Sequence, residues 1–182
     1  MAQPHHIARR NNTGFTLLEL LVALALMGML AAWGLPSFQA LGERSAVASE
    51  VNRLQTALTL ARNTAITRRS YATLCPVNNT RTACISDTDD WSGELVVFAG
   101  TQEGDIPEED IVRFFPPTTG ARTRSATLAS DSQITYSALS RTRNRRLHIC
   151  PSQSSEGQQG KEIVIFMAGR ARVDEDPISC SN

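Results

Sequence analysis

This sequence of 182 residues has little lysine, few aromatic side chains and no net charge. Lys161 is its only lysine, although lysine and arginine together number 18 and are balanced by 18 acidic residues. The balance excludes a histone-like or generally polybasic protein. Because aromatic residues make up only 5% of the chain, aliphatic side chains must fill most of the core. The length suits one domain with a helical extension and is too short for two comfortable domains.

The sequence also lacks the residue patterns that catalysis and metal binding need. Beyond the first fourteen residues the only histidine is His148, which we expect on the polar face of a strand. No phosphate-binding loop or dinucleotide fingerprint is present, and no cysteine pair has zinc-site spacing. The residues around Asp87, Asp89 and Asp90 do not follow the ligand pattern of a calcium-binding loop. We therefore expect no enzyme activity, no cofactor and no metal.

The N-terminus combines a short polar leader with a long apolar run. The leader, residues 1–14, contains Arg9 and Arg10 but no acid, and the run Phe15–Leu35 contains 21 residues with Glu19 as its one charge. As a helix, such a run spans about 30 Å, which is the thickness of the hydrocarbon core of a bilayer. A cleaved secretory signal has a shorter apolar region and a small-residue cleavage site. We expect a membrane-spanning helix, with a plain anchor as an alternative.

Glu19 requires a partner, because a carboxylate inside a membrane costs about 2.5–3.5 kcal/mol on insertion scales. The apolar run contains no lysine, arginine or histidine that could supply one. Cleavage between Gly14 and Phe15 would create an α-amino group that is cationic at neutral pH. This group could pair with Glu19 of a neighbouring subunit, and the carboxylate would then serve assembly.

The run GFTLLE at residues 14–19, behind a basic leader and ahead of an apolar stretch, resembles the type IV pilin and pseudopilin class. The resemblance implies that a prepilin peptidase cleaves after Gly14 and that Phe15 becomes N-methylated. It implies that Glu19 meets the N-terminus of a neighbouring subunit in the fibre. It also implies a single-pass protein of the bacterial inner membrane with a periplasmic head, in agreement with the positive-inside rule for the leader arginines.

A second helical segment is predicted from residue 37 to about Arg69. Its apolar residues recur at intervals of three or four, and most charged residues, including Glu50 and Arg53, fall off that stripe. We expect the stripe to pack on a head. It consists of Val47, Val51, Leu54, Leu58, Ala61 and Ala65.

The pattern changes to short β-like runs at residue 70. These runs are residues 71–75, 94–98, 111–115, 134–138, 146–150 and 162–168. We therefore predict an α+β fold in which a long N-terminal helix packs on a mostly antiparallel β-sheet head. The transmembrane and assembly part of the helix is residues 15–36, its amphipathic part residues 37–69, and the head residues 70–182.

Several features of the head recur in one known group. They are Leu74–Pro76 with Cys84, Trp91–Gly93 ahead of Val97 and Phe98, Gly169–Arg172, and a cysteine near the C-terminus. In these features the head resembles the GspH/FimT group of minor pilins and minor pseudopilins. The resemblance implies a minor type IV pilin that helps to initiate or cap a fibre, with other pilin subunits, the prepilin peptidase and the inner membrane as partners. A minor pseudopilin of a type II secretion system is the alternative.

Four cysteines in a periplasmic head predict two disulfides. Cys75 and Cys84 enclose a short polar loop, whereas Cys150 lies on a late strand and Cys180 lies two residues from the end. We favour the pairs Cys75–Cys84 and Cys150–Cys180 among three possible connectivities. Each bond could stabilise the fold by about 2–4 kcal/mol.

Charge is unevenly distributed along the head. Nine acids and no base lie between Ile85 and Val112, and seven arginines and one acid lie between Arg113 and Arg146. The two stretches could pair between subunits, neutralise each other within one head, or leave the arginines to bind DNA phosphates. The last interpretation makes a DNA-uptake receptor a further alternative. Its candidate residues for double-stranded DNA are Arg141, Arg143, Arg145, Arg146, Arg170 and Arg172.

The segment Gly169–Arg172 resembles a Gly-Arg-x-Arg element with which members of the FimT branch bind DNA. A Gly-Arg at a strand end is in the first place a turn. The three acids that follow, residues 174–176, would weaken the attraction to phosphate.

Overall fold

The computed structural model describes residues 16–101, 104–126, 132–153 and 159–180, so Gly14 and Phe15 lie outside the described residues. The chain divides into two compact units, the first ending at Ala40 and the second beginning at Leu41. One helix, α1 (Leu17–Arg68), includes both predicted helical segments. Within the described ranges, no helix is long and apolar enough to cross a membrane.

The C-terminal end of α1 is fixed by a backbone motif. Arg69 adopts a left-handed conformation with φ of 50°. Its N–H donates to the carbonyl oxygen of Ile66, and the Ser70 N–H donates to that of Ala65, both at 3.2 Å. These two bonds are those of a Schellman motif, which satisfies carbonyl groups left over at a helix end. The helix therefore ends one residue before the predicted boundary.

The predicted apolar stripe is confirmed, because all six of its members are buried. They join one core cluster with side chains from both sheets, including Leu74, Val97, Leu147 and Ile163. Glu50, which the sequence places off that stripe, is nevertheless only 1% exposed. Its partners, described below, explain how burial is possible.

The first sheet has the strand order β3–β2–β1–β5 and is antiparallel throughout. Its strands are β1 (Ala72–Pro76), β2 (Leu95–Ala99), β3 (Ile111–Phe115) and β5 (Ile134–Tyr136). A 3₁₀ turn, Glu108–Asp110, precedes β3. Both β1 and β2 are buried along their full length, because the helix stripe covers one face and a second apolar cluster covers the other. That cluster contains Cys75, Val77, Val96, Phe98 and Ile106.

The second sheet has the order β4–β6–β7–β8 and is also antiparallel. Its strands are β4 (Ala121–Ser125), β6 (Arg145–Pro151), β7 (Gln159–Ile165) and β8 (Ala171–Val173), and the short β9 (Ile178–Ser179) pairs with β7. The six predicted strands correspond to β1, β2, β3, β5, β6 and β7, with ends that differ by at most three residues. The sequence pattern did not predict β4, β8 and β9. The predicted α+β class with a helix on antiparallel sheets is confirmed.

Candidate functional site

Glu19 lies in the first turn of α1. Its backbone N–H donates to the hydroxyl oxygen of Thr16 at 3.2 Å, and the Leu20 N–H donates to the Thr16 carbonyl oxygen at the same distance. Thr16 is therefore the N-cap, and its bond to Glu19 is half of a capping box. A carboxylate in the first turn also favours helix formation electrostatically. The Glu19 carboxylate has no ion-pair partner among the described residues.

Large apolar side chains surround Glu19 on the helix surface. Ten of them, between Leu17 and Leu30, are 51–76% exposed. An apolar surface of this extent is unusual on a monomeric soluble protein and marks contact with a membrane or another protein. The start of α1 therefore combines an unpaired carboxylate with an apolar surface that is buried only by contact with a membrane or another protein.

All four cysteines are paired in the structure. Cys75 is bonded to Cys84, and Cys150 is bonded to Cys180. These are the two pairs that the sequence analysis favoured. The first bond joins β1 to the loop that follows it, and the second joins β6 to the chain end beyond β9. Because no cysteine remains free, none can serve as a thiolate ligand for zinc.

The outward face of the second sheet carries four arginines, Arg122, Arg124, Arg146 and Arg172, which we call the arginine face. The alternate residues of β4, β6 and β7 point into the core. In the sheet register, Arg146 lies opposite Val164, which lies opposite Arg172. Cross-strand neighbours share one face of a sheet, so Arg146 and Arg172 point to the same side. Their side chains are 64% and 61% exposed.

Two carboxylates lie close to the arginine face. Glu162, whose side chain is 8% exposed, lies 3.6 Å from an Arg146 Nη1 atom and 2.9 Å from His148 Nε2. An Asp174 oxygen lies 3.8 Å from Arg172 Nη2. Both ion pairs are long, and both guanidinium groups are exposed, although Glu162 itself is buried. A surface pair such as that of Arg172 and Asp174 contributes about 0–1 kcal/mol, so Arg172 can exchange its carboxylate for another anion at low cost.

Arg145 differs from the other members of the predicted DNA-binding set because it is buried. Its residue exposure is 3%, its Nη2 donates to the Gln133 carbonyl oxygen at 2.9 Å, and its guanidinium carbon lies 5.9 Å from the Trp91 ring centroid. Alternation along β6 explains this placement, because Leu147 and Ile149 on the same side of the strand are both fully buried. Arg145 is a buried residue whose guanidinium group is bonded within the head, unlike the exposed arginines of the predicted set.

Arg170 and Gly169 belong to the turn between β7 and β8. Gly169 has φ of +74°, and a Cβ at this position would clash with the backbone carbonyl of Ser140. Only glycine meets both conditions without strain. Arg170 precedes β8 and is exposed, as are Arg141 and Arg143 in the loop before β6. The predicted DNA-binding set thus divides into the buried Arg145 and five residues nearer the surface.

The acidic stretch forms ion pairs with arginines outside the arginine-rich stretch. Glu94 accepts two hydrogen bonds from Arg81, at 2.7 and 2.8 Å, and Asp110 lies 3.9 Å from Arg68. Asp90 accepts the backbone N–H of Ser92. These contacts use acidic side chains within the head.

The sequence analysis did not predict the buried ion pair between Glu50 and Arg53 on α1. Arg53 donates to both carboxylate oxygens of Glu50, at 2.8 and 2.7 Å, and the Thr123 hydroxyl donates to one of them at 2.8 Å. The same guanidinium reaches four backbone carbonyl groups in the loops around β2 and β3. These belong to Trp91, Gly93, Phe115 and Pro116, at 3.0–3.3 Å.

Comparison with known proteins identifies the family. Residues 50–169 match the family model described as type II transport protein GspH, which is more than half of the chain. The chain belongs to the GspH family. Residues 9–35 match the prokaryotic N-terminal methylation motif. This second match includes Gly14, Phe15 and Glu19, and it supports membership of the type IV pilin and pseudopilin class.

Solved structures agree with the GspH family fold. Two crystal structures of the type IV minor pilin FimU from Pseudomonas aeruginosa strain PAO1 are similar to this chain. One has a TM-score of 0.56 at 19% identity over 76% of this chain and 99% of that chain. The other has a TM-score of 0.57 at 18% identity over 79% and 98%. Identity this low speaks for the fold alone. No curated protein matches the chain.

Proposed function

We propose that this GspH-family chain is a minor type IV pilin, made as a prepilin and built into a fibre through the N-terminal part of α1. A prepilin peptidase would cleave after Gly14, and Phe15 would become the methylated N-terminus. The chain would be anchored in the inner membrane by residues 15–35 before assembly, with its head in the periplasm. The role is structural, in initiating or capping the fibre, and not catalytic.

The observation that carries this proposal is the unpaired Glu19 carboxylate within an exposed apolar helix surface. A carboxylate among apolar side chains gains most from a cation that arrives together with the apolar cover. A neighbouring subunit with a free N-terminal amine supplies both, because its own apolar helix would bring the amine into reach. The match to the methylation motif supports the same interpretation, since processing creates that amine.

Fibre incorporation tests the proposal. The Glu19→Ala variant should remain in the membrane fraction and be poorly recovered in sheared fibres, because it cannot bind the amine of its neighbour. Glu109→Gln, which neutralises an exposed carboxylate on the head, is the matched control and should be incorporated normally. Incorporation of Glu19→Ala at the level of the control would refute the role of Glu19.

A minor pseudopilin of a type II secretion system is the alternative within the same family. The family description favours it, whereas FimU, with which this chain shares its fold, is a type IV minor pilin. The two are separated by expressing the tagged chain in cells that have only one of the two systems. Recovery with the pilus fraction supports the first function, and recovery only with a secretion pseudopilus supports the second.

DNA binding is a second candidate function, because five of the six predicted arginines lie nearer the surface than Arg145. Arg146 and Arg172 share one sheet face, and Arg170 lies in the adjoining turn. Exposed guanidinium groups such as those of Arg146 and Arg172 suit phosphate contacts. The acids of residues 174–176 lie next to the same arginines in sequence and oppose this function.

A salt titration tests DNA binding in the full chain, purified in a zwitterionic detergent. Arg170→Ala with Arg172→Ala should reduce the slope of log affinity against log salt by about 2, since each phosphate contact contributes about 0.9. Arg81→Ala with Arg113→Ala removes the same charge from the other sheet and should leave the slope nearly unchanged. Equal losses in both double variants, or no binding at low salt, would exclude a specific DNA surface.

A further inference from the structure

A small crevice of about 170 Å³ lies between α1, strand β5 and the turn that joins β7 to β8. Its polar lining comes from Gln55, Thr59, Arg62 and Asn63 of the helix, Tyr136 of β5 and Arg170 of the turn. None of the described residues that line it is acidic. The crevice therefore presents hydrogen-bond donors and positive charge with no carboxylate in its lining to neutralise them.

The hydroxyl group of Tyr136 is the strongest sign that the crevice has an occupant. Tyr136 is fully buried, and its hydroxyl has no hydrogen-bond partner among the described residues. A buried polar group without a partner is costly and calls for an explanation, such as a bound ion or water. Burial raises the pKa of Tyr136 to about 12, against a smaller lowering by the Arg62 charge, so the phenol remains a donor at neutral pH.

One hydrogen bond to the head fixes the position of Arg62 and leaves the other N–H donors of its guanidinium group without a partner among the described residues. Its Nε donates to the Ser140 hydroxyl oxygen at 2.6 Å, and Ser140 in turn packs against Gly169. Within the described chain, the two terminal nitrogens of Arg62 have no acceptor, and Arg170 has no ion-pair partner. Arg62, Tyr136 and Arg170 thus line one space from three different elements.

We propose that this crevice binds a single tetrahedral oxyanion of the phosphate class. A guanidinium group matches phosphate oxygens with two parallel N–H donors, and the Tyr136 hydroxyl would donate to a further oxygen. The tetrahedral oxygens of a phosphate point in several directions and suit donors from three elements better than the two coplanar oxygens of a carboxylate. The anion could be free phosphate or a phosphodiester group of a nucleic acid.

Nuclear magnetic resonance of the full chain in zwitterionic detergent tests the proposal. The chain has two tyrosines, and Tyr71, which is 53% exposed, serves as an internal reference for Tyr136. With carbon-13 at the ring carbon that bears the hydroxyl, added inorganic phosphate should shift the Tyr136 signal saturably and leave the Tyr71 signal in place. Chloride at equal ionic strength should have no effect. An unmoved Tyr136 signal would overturn the proposal.

Matched variants separate the site from general charge attraction. Tyr136→Phe keeps the buried ring and should weaken phosphate binding about tenfold, whereas Tyr71→Phe should not change it. Arg170→Gln should weaken binding, and Arg113→Gln on strand β3 of the first sheet should not. Equal weakening by both arginine variants would overturn the proposal. Dimethyl phosphate distinguishes the sources: binding comparable to that of inorganic phosphate indicates a phosphodiester, and selective binding of inorganic phosphate indicates the free ion.

Discussion

Removal of the Arg53 guanidinium should destabilise the head far more than removal of an exposed arginine. Arg53→Met keeps most of the apolar volume but leaves Glu50, which is 1% exposed, without a cation. Only the Thr123 hydroxyl would then remain among the hydrogen bonds described for its carboxylate. Breaking a buried pair in this way costs about 3–5 kcal/mol, because an uncompensated charge stays buried.

The ion pair between Arg81 and Glu94 provides a control of nearly identical geometry. Its two hydrogen bonds of 2.7 and 2.8 Å match those between Arg53 and Glu50. Its arginine side chain is 60% exposed, whereas that of Arg53 is 8% exposed. Exposed pairs contribute about 0–1 kcal/mol. Arg81→Met should therefore have little effect. Two differences separate the outcomes, the burial of the pair and the hydrogen bonds of Arg53 to four backbone carbonyl groups.

Urea denaturation of the full chain in detergent measures the difference, with fluorescence of the fully buried Trp91 as a probe. The Arg53→Met variant should lose about 3–5 kcal/mol, and Arg81→Met less than about 1 kcal/mol. The double variant Glu50→Gln with Arg53→Met should recover much of the loss, because no buried charge remains. Equal losses for Arg53→Met and Arg81→Met would refute the reasoning.

Three further predictions concern the stability and covalent structure of the head. Gly169→Ala should lower the free energy of unfolding, measured by urea denaturation, by at least about 1–2 kcal/mol, because of the positive φ and the clash with Ser140. Gly93→Ala is the control and should be nearly neutral, because the space around its Cβ is open. The folded-state pKa of Tyr136, about 12, exceeds the ordinary value of 10.0. The free energy of unfolding should therefore be constant below about pH 10 with respect to this group and fall by roughly 3 kcal/mol towards pH 12. The same decline in Tyr136→Phe would contradict this. Peptide mass mapping without reduction should find Cys75 joined to Cys84 and Cys150 joined to Cys180, and any other pairing would be inconsistent with the structure.

The apolar pattern predicted the parts of the fold in which one face is uniformly buried. Val47 to Ala65 repeat with helical period, and β3 has the predicted ends because its flanks are turn residues. By contrast β4, with the sequence ARTRS, buries Ala121, Thr123 and Ser125. Small and polar side chains on the inward face give no hydrophobic signal, so this strand could not be predicted from the pattern.

The charged residues show where sequence patterns are incomplete. Periodicity treats a charged residue as exposed, but Glu50 is buried and is bonded by Arg53 and Thr123. The Arg53 partner is an i,i+3 neighbour on the helix and has a local signal. The burial of the pair and the bond from Thr123 depend on tertiary structure and have none. Arg145 was different, since its alternation with Leu147 and Ile149 could have indicated an inward side chain. The crevice at Tyr136 is lined by residues from three segments that are distant in the sequence, so it could not be predicted from the sequence pattern either.

Zero-length cross-linking in isolated fibres tests the central claim most directly. A carbodiimide joins an amine to a carboxylate only when the two are in contact, and mass spectrometry then identifies the linked peptides. The account predicts an amide between Glu19 and the N-terminal amine of a neighbouring subunit, and its loss in Glu19→Gln. Fibres that contain this chain but link the amine only to other carboxylates would contradict it.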